Sequence, residues 1–130
     1  MSRRKTAAAD KPVLEHPKLR VKIDVRADML GPGKLQLLAL LDQTGSISAA
    51  ARDMGVTYRR AWFLLETLQA CFRAPLFETT RGGAGKGGTT LTETGRALVD
   101  QHAVFEQATT SAAAPFLQWL ESQQSDEQQT

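Results

Sequence analysis

Gly55 restricts the folding of this chain more than any other residue. It stands between two short segments of helical periodicity. Upstream, Ile47, Ala50, Ala51 and Met54 recur at i, i+3, i+4 and i+7, the apolar stripe of a short helix. Downstream, Ala61, Leu65, Leu68 and Phe72 line one side of a second helix, with Leu64 adjoining. Two helices that cross steeply need a small residue where their backbones meet and a corner residue that accepts positive φ. Ala51 and Gly55 meet those two needs. Ser46 is placed to cap the first helix and Thr57 the second.

The flanking sequence extends this unit. Leu19 to Arg26 alternates apolar and polar residues, which predicts a half-buried strand with Leu19, Val21, Ile23 and Val25 inward. Gly31-Pro32-Gly33 reads as a break, followed by a helix from about Lys34 to Gln43 that Gly45 ends. Pro75 should stop the third helix near Phe72. Leu76 to Thr80 and Thr89 to Leu91 are strand candidates joined by the glycine-rich stretch Arg81 to Gly88, a hairpin or "wing". Thr92 caps a last long helix, in which Pro115 should cause a kink or restart. The expected fold is mainly α with a small β-hairpin wing: a winged helix-turn-helix plus a long C-terminal dimerisation helix. The expected divisions are a disordered basic arm over 1–17, a winged helix-turn-helix over 18–95, a helical dimerisation segment over 96–121 and a disordered tail over 122–130.

Charge is unevenly spread over the 130 residues. Residues 1–90 hold 15 Lys and Arg against 8 Asp and Glu, a net +7, and residues 91–130 hold 1 against 6, a net −5. A basic front suits phosphate, and an acidic back suits a surface turned away from it. The second helix of the bend opens with Thr57-Tyr58-Arg59-Arg60, where a helix-turn-helix enters the major groove. Arg59 and Arg60 can give paired donors to guanine O6 and N7 or neutralise phosphates. Tyr58 can donate to phosphate or press on a thymine methyl. Ser46, Ser48 and Thr57 bring hydroxyls to helix ends that can hold the DNA backbone. Trp62 reads two ways, as a DNA contact or as a wedge between the third helix and the wing. Arg81 and Lys86 on the wing can reach the minor groove or phosphates.

Other chemistries have less support. Gly83-x-Gly85-x-x-Gly88 has dinucleotide-fingerprint spacing, but polar Glu78-Thr79-Thr80-Arg81 precedes it where a buried strand is needed. Gly87 follows Lys86 where a phosphate-binding loop requires Ser or Thr. His16 and His102 are far apart, without metal-ligand spacing around them, so no metal or cofactor is expected. No nucleophile–base arrangement suggests an enzyme. One cysteine, Cys71, excludes an internal disulfide and fits a reducing cytoplasm. No apolar run has the length of a membrane span. Leu98, His102 and Phe105, with Phe116, Trp119 and Leu120 beyond Pro115, give the last helix more apolar surface than one small domain covers. They are the expected dimer interface, because two-fold symmetry matches palindromic half-sites.

Val21 to about Val99 resembles the DNA-binding half of ModE-type molybdate-responsive transcription regulators, whose winged helix is related to that of LysR-type regulators. The carrying residues are Thr44-Gly45-Ser46-Ile47-Ser48-Ala49-Ala50-Ala51-Arg52 and Gly55-Val56-Thr57-Tyr58-Arg59-Arg60-Ala61-Trp62. Pro75-Leu76-Phe77-Glu78, the Gly82–Gly88 stretch and Leu91-Thr92-Glu93-Thr94-Gly95 complete them. The resemblance implies a homodimeric bacterial regulator that binds an inverted repeat in double-stranded DNA, often repressing molybdate-transport genes. The family's molybdate-binding part normally follows this half, and the chain ends before it would fit, so direct molybdate binding is not expected. An alternative is a single-domain interaction module that heterodimerises with a longer regulator.

Overall fold

The computed structural model describes residues 14–26, 28–80 and 88–124. Strands β1 (Ile23–Asp24) and β2 (Met29–Leu30) form a short antiparallel pair, with Ile23 opposite Leu30. Helices α1 (Pro32–Thr44), α2 (Ile47–Met54) and α3 (Tyr58–Gln69) follow. Strands β3 (Phe77–Thr80) and β4 (Gly88–Leu91) form the wing, pairing Phe77 with Leu91 and Thr80 with Gly88. Helix α4 (Glu93–Gln123) is the last element. The chain divides into two compact units, residues 20–108 and residues 1–19 with 109–130.

Apolar spacing and helix ends account for the larger unit. Leu37, Leu38 and Leu41 of α1, Leu65 and Leu68 of α3, and Leu76 are fully enclosed. Ala50 and Ala61 have no exposed surface and Ala51 has almost none, so α2 and α3 approach closely at small side chains. Gly45 (φ +73°) ends α1 and donates its N–H to the Leu41 carbonyl at 2.8 Å. Gly55 (φ +84°) ends α2 and donates to the Ala51 carbonyl at 2.9 Å. Both occupy the left-handed region that glycine enters without a Cβ clash.

Several local expectations give way to tertiary context. The alternation from Leu19 to Arg26 yields only the two paired residues of β1, with Leu19 and Ile23 exposed and Val21 and Val25 half-buried. Its partner β2 is two residues long, so the ladder has nothing further to pair with. Gly31-Pro32-Gly33 begins α1 instead of breaking the chain: Gly31 is the extended N-cap and Pro32 the first helical residue. A first-turn N–H has no helical partner, so proline loses nothing there. Helix α3 ends at Gln69, short of Phe72. The Gln69 amide donates to the Ala74 carbonyl at 2.8 Å and accepts the Leu76 N–H at 2.7 Å, which turns the chain before Pro75. Pro115 lies inside α4, with helix on both sides. Ser111 and Pro115 are exposed, so water can take the place of the one missing backbone bond.

Candidate nucleic-acid interface

The caps build the presented end of α3. The Thr57 hydroxyl accepts the Arg60 N–H at 3.0 Å and retains its own hydrogen for an outside acceptor. Arg59 and Arg60 are exposed, and Tyr58 is 53% exposed. No acidic residue occupies the first turn, and among the described residues neither arginine is in an ion pair. Cations at a helix N-terminus oppose the helix dipole. The pair therefore sits where it favours stability least and an incoming anion most.

Helix α2 and the wing form the neighbouring surface. The Ser46 hydroxyl caps α2 by accepting the Ala49 N–H at 3.1 Å, and Ser48, two residues on, is exposed. Ser46, Ser48, Tyr58, Trp62, Thr79 and Thr89 line a shallow cleft that opens at the α2 N-terminus. The Thr89 N–H donates to the Gly45 carbonyl at 2.9 Å and fixes β4 against the turn between α1 and α2. Trp62 is half-buried, edge-on to Tyr58 at 6.4 Å and to Phe77 at 6.3 Å. That is the geometry of the wedge between α3 and the wing. Arg81 and Lys86 lie outside the described residues.

The start of α4 is fastened to the wing. The Thr92 hydroxyl donates to the Pro75 carbonyl at 2.6 Å and accepts the Gly95 N–H at 3.1 Å. A Cβ on Gly95 would lie 2.0 Å from the Leu76 carbonyl oxygen, so only glycine fits that approach. Leu98 is half-buried against the core of its own unit. The half-buried His102 ring lies 6.3 Å from that of Phe105, and Phe105 is 39% exposed. In the other unit Phe116 and Trp119 stack at 6.2 Å and remain exposed, with Leu120 half-buried. His16 hydrogen-bonds Glu121 across 2.7 Å.

Sequence reading passed over the exposed apolar residues Phe63, at 52%, and Val104, at 69%. For Phe63 a signal was available: it falls outside the stripe of Ala61, Leu65 and Leu68. It also missed the Gln69 clamp, which depends on where residues 74–76 return.

Residues 33–96 match the family described as bacterial regulatory helix-turn-helix protein, lysR family. The matched stretch runs from the first turn of α1 to the first turn of α4, and so lies within the larger unit. The chain carries a LysR-type winged helix-turn-helix. It is also similar to ModE and Mop proteins. The chain is 36% identical to the molybdenum-pterin-binding protein MopA of Rhodobacter capsulatus over 66% of its own length and 32% of the relative. It is 34% identical to the transcriptional regulator ModE of Haemophilus influenzae, over 68% of this chain and 34% of that protein. The chain thus spans about a third of the length of these relatives. Among solved structures, the zinc-responsive MarR family member ZitR of Lactococcus lactis has the same fold. Its TM-score is 0.54 at 20% identity, covering 98% of this chain and 83% of that one. A ZitR variant in complex with DNA gives a TM-score of 0.52 at 20% identity, covering 98% and 82%. No helix among the described residues is long and apolar enough to cross a membrane.

Proposed function

We propose that this ModE-related protein is a transcription regulator that binds double-stranded DNA sequence-specifically, reading an inverted repeat as a homodimer. Helix α3 enters the major groove by its N-terminus, the wing approaches the flanking backbone, and the genes it serves are linked to molybdenum. One observation carries this reading: an exposed Arg59–Arg60 pair, with no acid in its turn, on a helix anchored by fully buried Ala61, Leu65 and Leu68. Rigid anchoring lowers the ordering cost of base contacts, and the dipole-opposed cations gain most when phosphate or a guanine edge arrives. The Ser46–Ser48 cleft at the α2 N-terminus offers a second anion contact beside the first. The ModE and Mop names of the relatives support the molybdenum link.

The test is fluorescence anisotropy with labelled fragments of the promoters that the protein selects from genomic DNA, at two salt concentrations. Binding should weaken steeply with salt. Arg59→Ala or Arg60→Ala should cost about 1–3 kcal/mol for whichever arginine reads a base, and a smaller, sequence-independent amount for one that meets phosphate. If both variants bind every fragment as tightly as the parent, α3 is not the reading helix.

A further inference from the structure

The apolar residues of α3 leave one anomaly. Ala61, Leu65 and Leu68 are fully buried, and at about 100° per residue the direction opposite them falls at Phe63. Arg59 and Arg60 flank that direction on either side. A large aromatic ring, 52% exposed, therefore stands at the middle of the presented face of the helix. The fold does not need it there. One of its neighbours explains it: the Arg60 guanidinium lies over the Phe63 ring, 5.3 Å from the centroid. Residues three apart on a helix meet in this way, and an arginine plane on an aromatic face gains cation–π attraction. The contact also restricts a side chain that otherwise loses much rotamer freedom on binding.

We propose that Phe63 is a positioning residue for Arg60: its ring holds the guanidinium in one orientation before DNA arrives, and the base-pair discrimination of the recognition helix depends on it. This inference rests on the DNA-reading role of α3 and adds a determinant to it. The physical basis is preorganisation. A fork of donors already held in place loses less freedom when it forms a bidentate contact, and the gain is largest for the base that accepts both hydrogen bonds. Phosphate contacts, which tolerate many orientations, should gain less.

Two measurements test it. In the free protein, the Arg60 Nε–H proton should show an upfield ring-current shift by NMR. The shift should persist in Phe63→Tyr and vanish in Phe63→Leu. For binding, wild-type protein enriches a preferred duplex from a random-sequence pool, and affinities are measured for that duplex and its single-base-pair variants. Phe63→Leu should lower discrimination at one position by about two- to fivefold, the scale of an exposed cation–π contact. Phe63→Tyr should restore it, and the salt dependence should stay unchanged. Half-exposed Phe63 lies outside the core, so both variants should stay folded, with Phe63→Leu lowering the unfolding midpoint by no more than the lost cation–π contact. If wild-type protein enriches a duplex and Phe63→Leu discriminates as well as wild type, the inference fails alone. If wild-type protein enriches no duplex, the proposed function fails and this inference with it, whatever the NMR shift shows.

Discussion

Gly95 shows how a single hydrogen can decide packing. In a helix, alanine normally stabilises by about 1 kcal/mol over glycine. Here the added Cβ would meet the Leu76 carbonyl oxygen at 2.0 Å and its carbon at 3.0 Å. Both are backbone atoms, so no rotamer change relieves the clash, and α4 would have to lift from the start of the wing. Gly95→Ala should therefore destabilise by about 1–3 kcal/mol, the range for overpacked sites. The denaturant midpoint reads the effect, and an unchanged or raised midpoint would show that the two backbones do not approach in this way. The left-handed corner at Gly55 was readable from its position between two periodic segments. The Gly95 contact was not, because it depends on where Leu76 returns after a turn.

Among the elements, α1 and α3 treat an N-terminal cation in opposite ways. Lys34, in the first turn of α1, donates to Asp28 at 2.9 Å and to the Met29 carbonyl at 3.2 Å, tying the β1–β2 turn to the helix. The Lys34 hydrogen bond, with a further one from the Met29 N–H, holds the Asp28 carboxyl below its ordinary range. A lowered carboxyl pKa contributes stability that is complete above the unfolded value, near pH 4, and is lost as pH falls through the folded value. The stability gap between wild type and Asp28→Asn should thus be constant from neutral pH to about 4 and close below it. Urea midpoints measured across that range would show it, and a gap that widens in acid would contradict the assignment. Helix α3 has no such acidic answer for Arg59 and Arg60, and its order rests more on the Thr57 cap. Thr57→Ala should cost about 1 kcal/mol of folding stability. Because it loosens the helix end that presents the arginines, it should also weaken binding to a preferred duplex. Full retention of both would remove the cap from the account.

At the scale of the whole molecule, α4 bears on association. Val104 and Phe105 of the larger unit are exposed on α4, and so, in the other unit, are Phe116 and Trp119, large apolar side chains that a solvated helix has no need of. In the proposed homodimer a second copy covers them. Phe105→Asp would place a charge in that seam and should shift the mass measured by light scattering from dimer to monomer. If the proposed seam sets the spacing of two half-sites, the same change should weaken binding to an inverted repeat far more than to one half-site. A parent protein that is already monomeric at micromolar concentration would dismiss the seam.

The sequence alone determined the bend between α2 and α3, the caps at Ser46 and Thr57, the cationic start of α3, and the wing after Pro75. Each is set by a few neighbouring residues: a left-handed glycine, a hydroxyl three residues before an N–H, an apolar stripe of period 3.6. Tertiary structure decided whether a pattern found a partner. The alternation around Ile23 became a two-residue strand because β2 offers no more. Trp62 meets Phe77 edge to face across the wing, and Leu98 packs partly against the core of its own unit. Phe63 gained an occupant, the Arg60 guanidinium, that helical periodicity alone had not assigned to it. Local rules fix the course of a backbone over a turn or two, whereas the fate of an exposed face depends on groups that arrive from elsewhere in the chain.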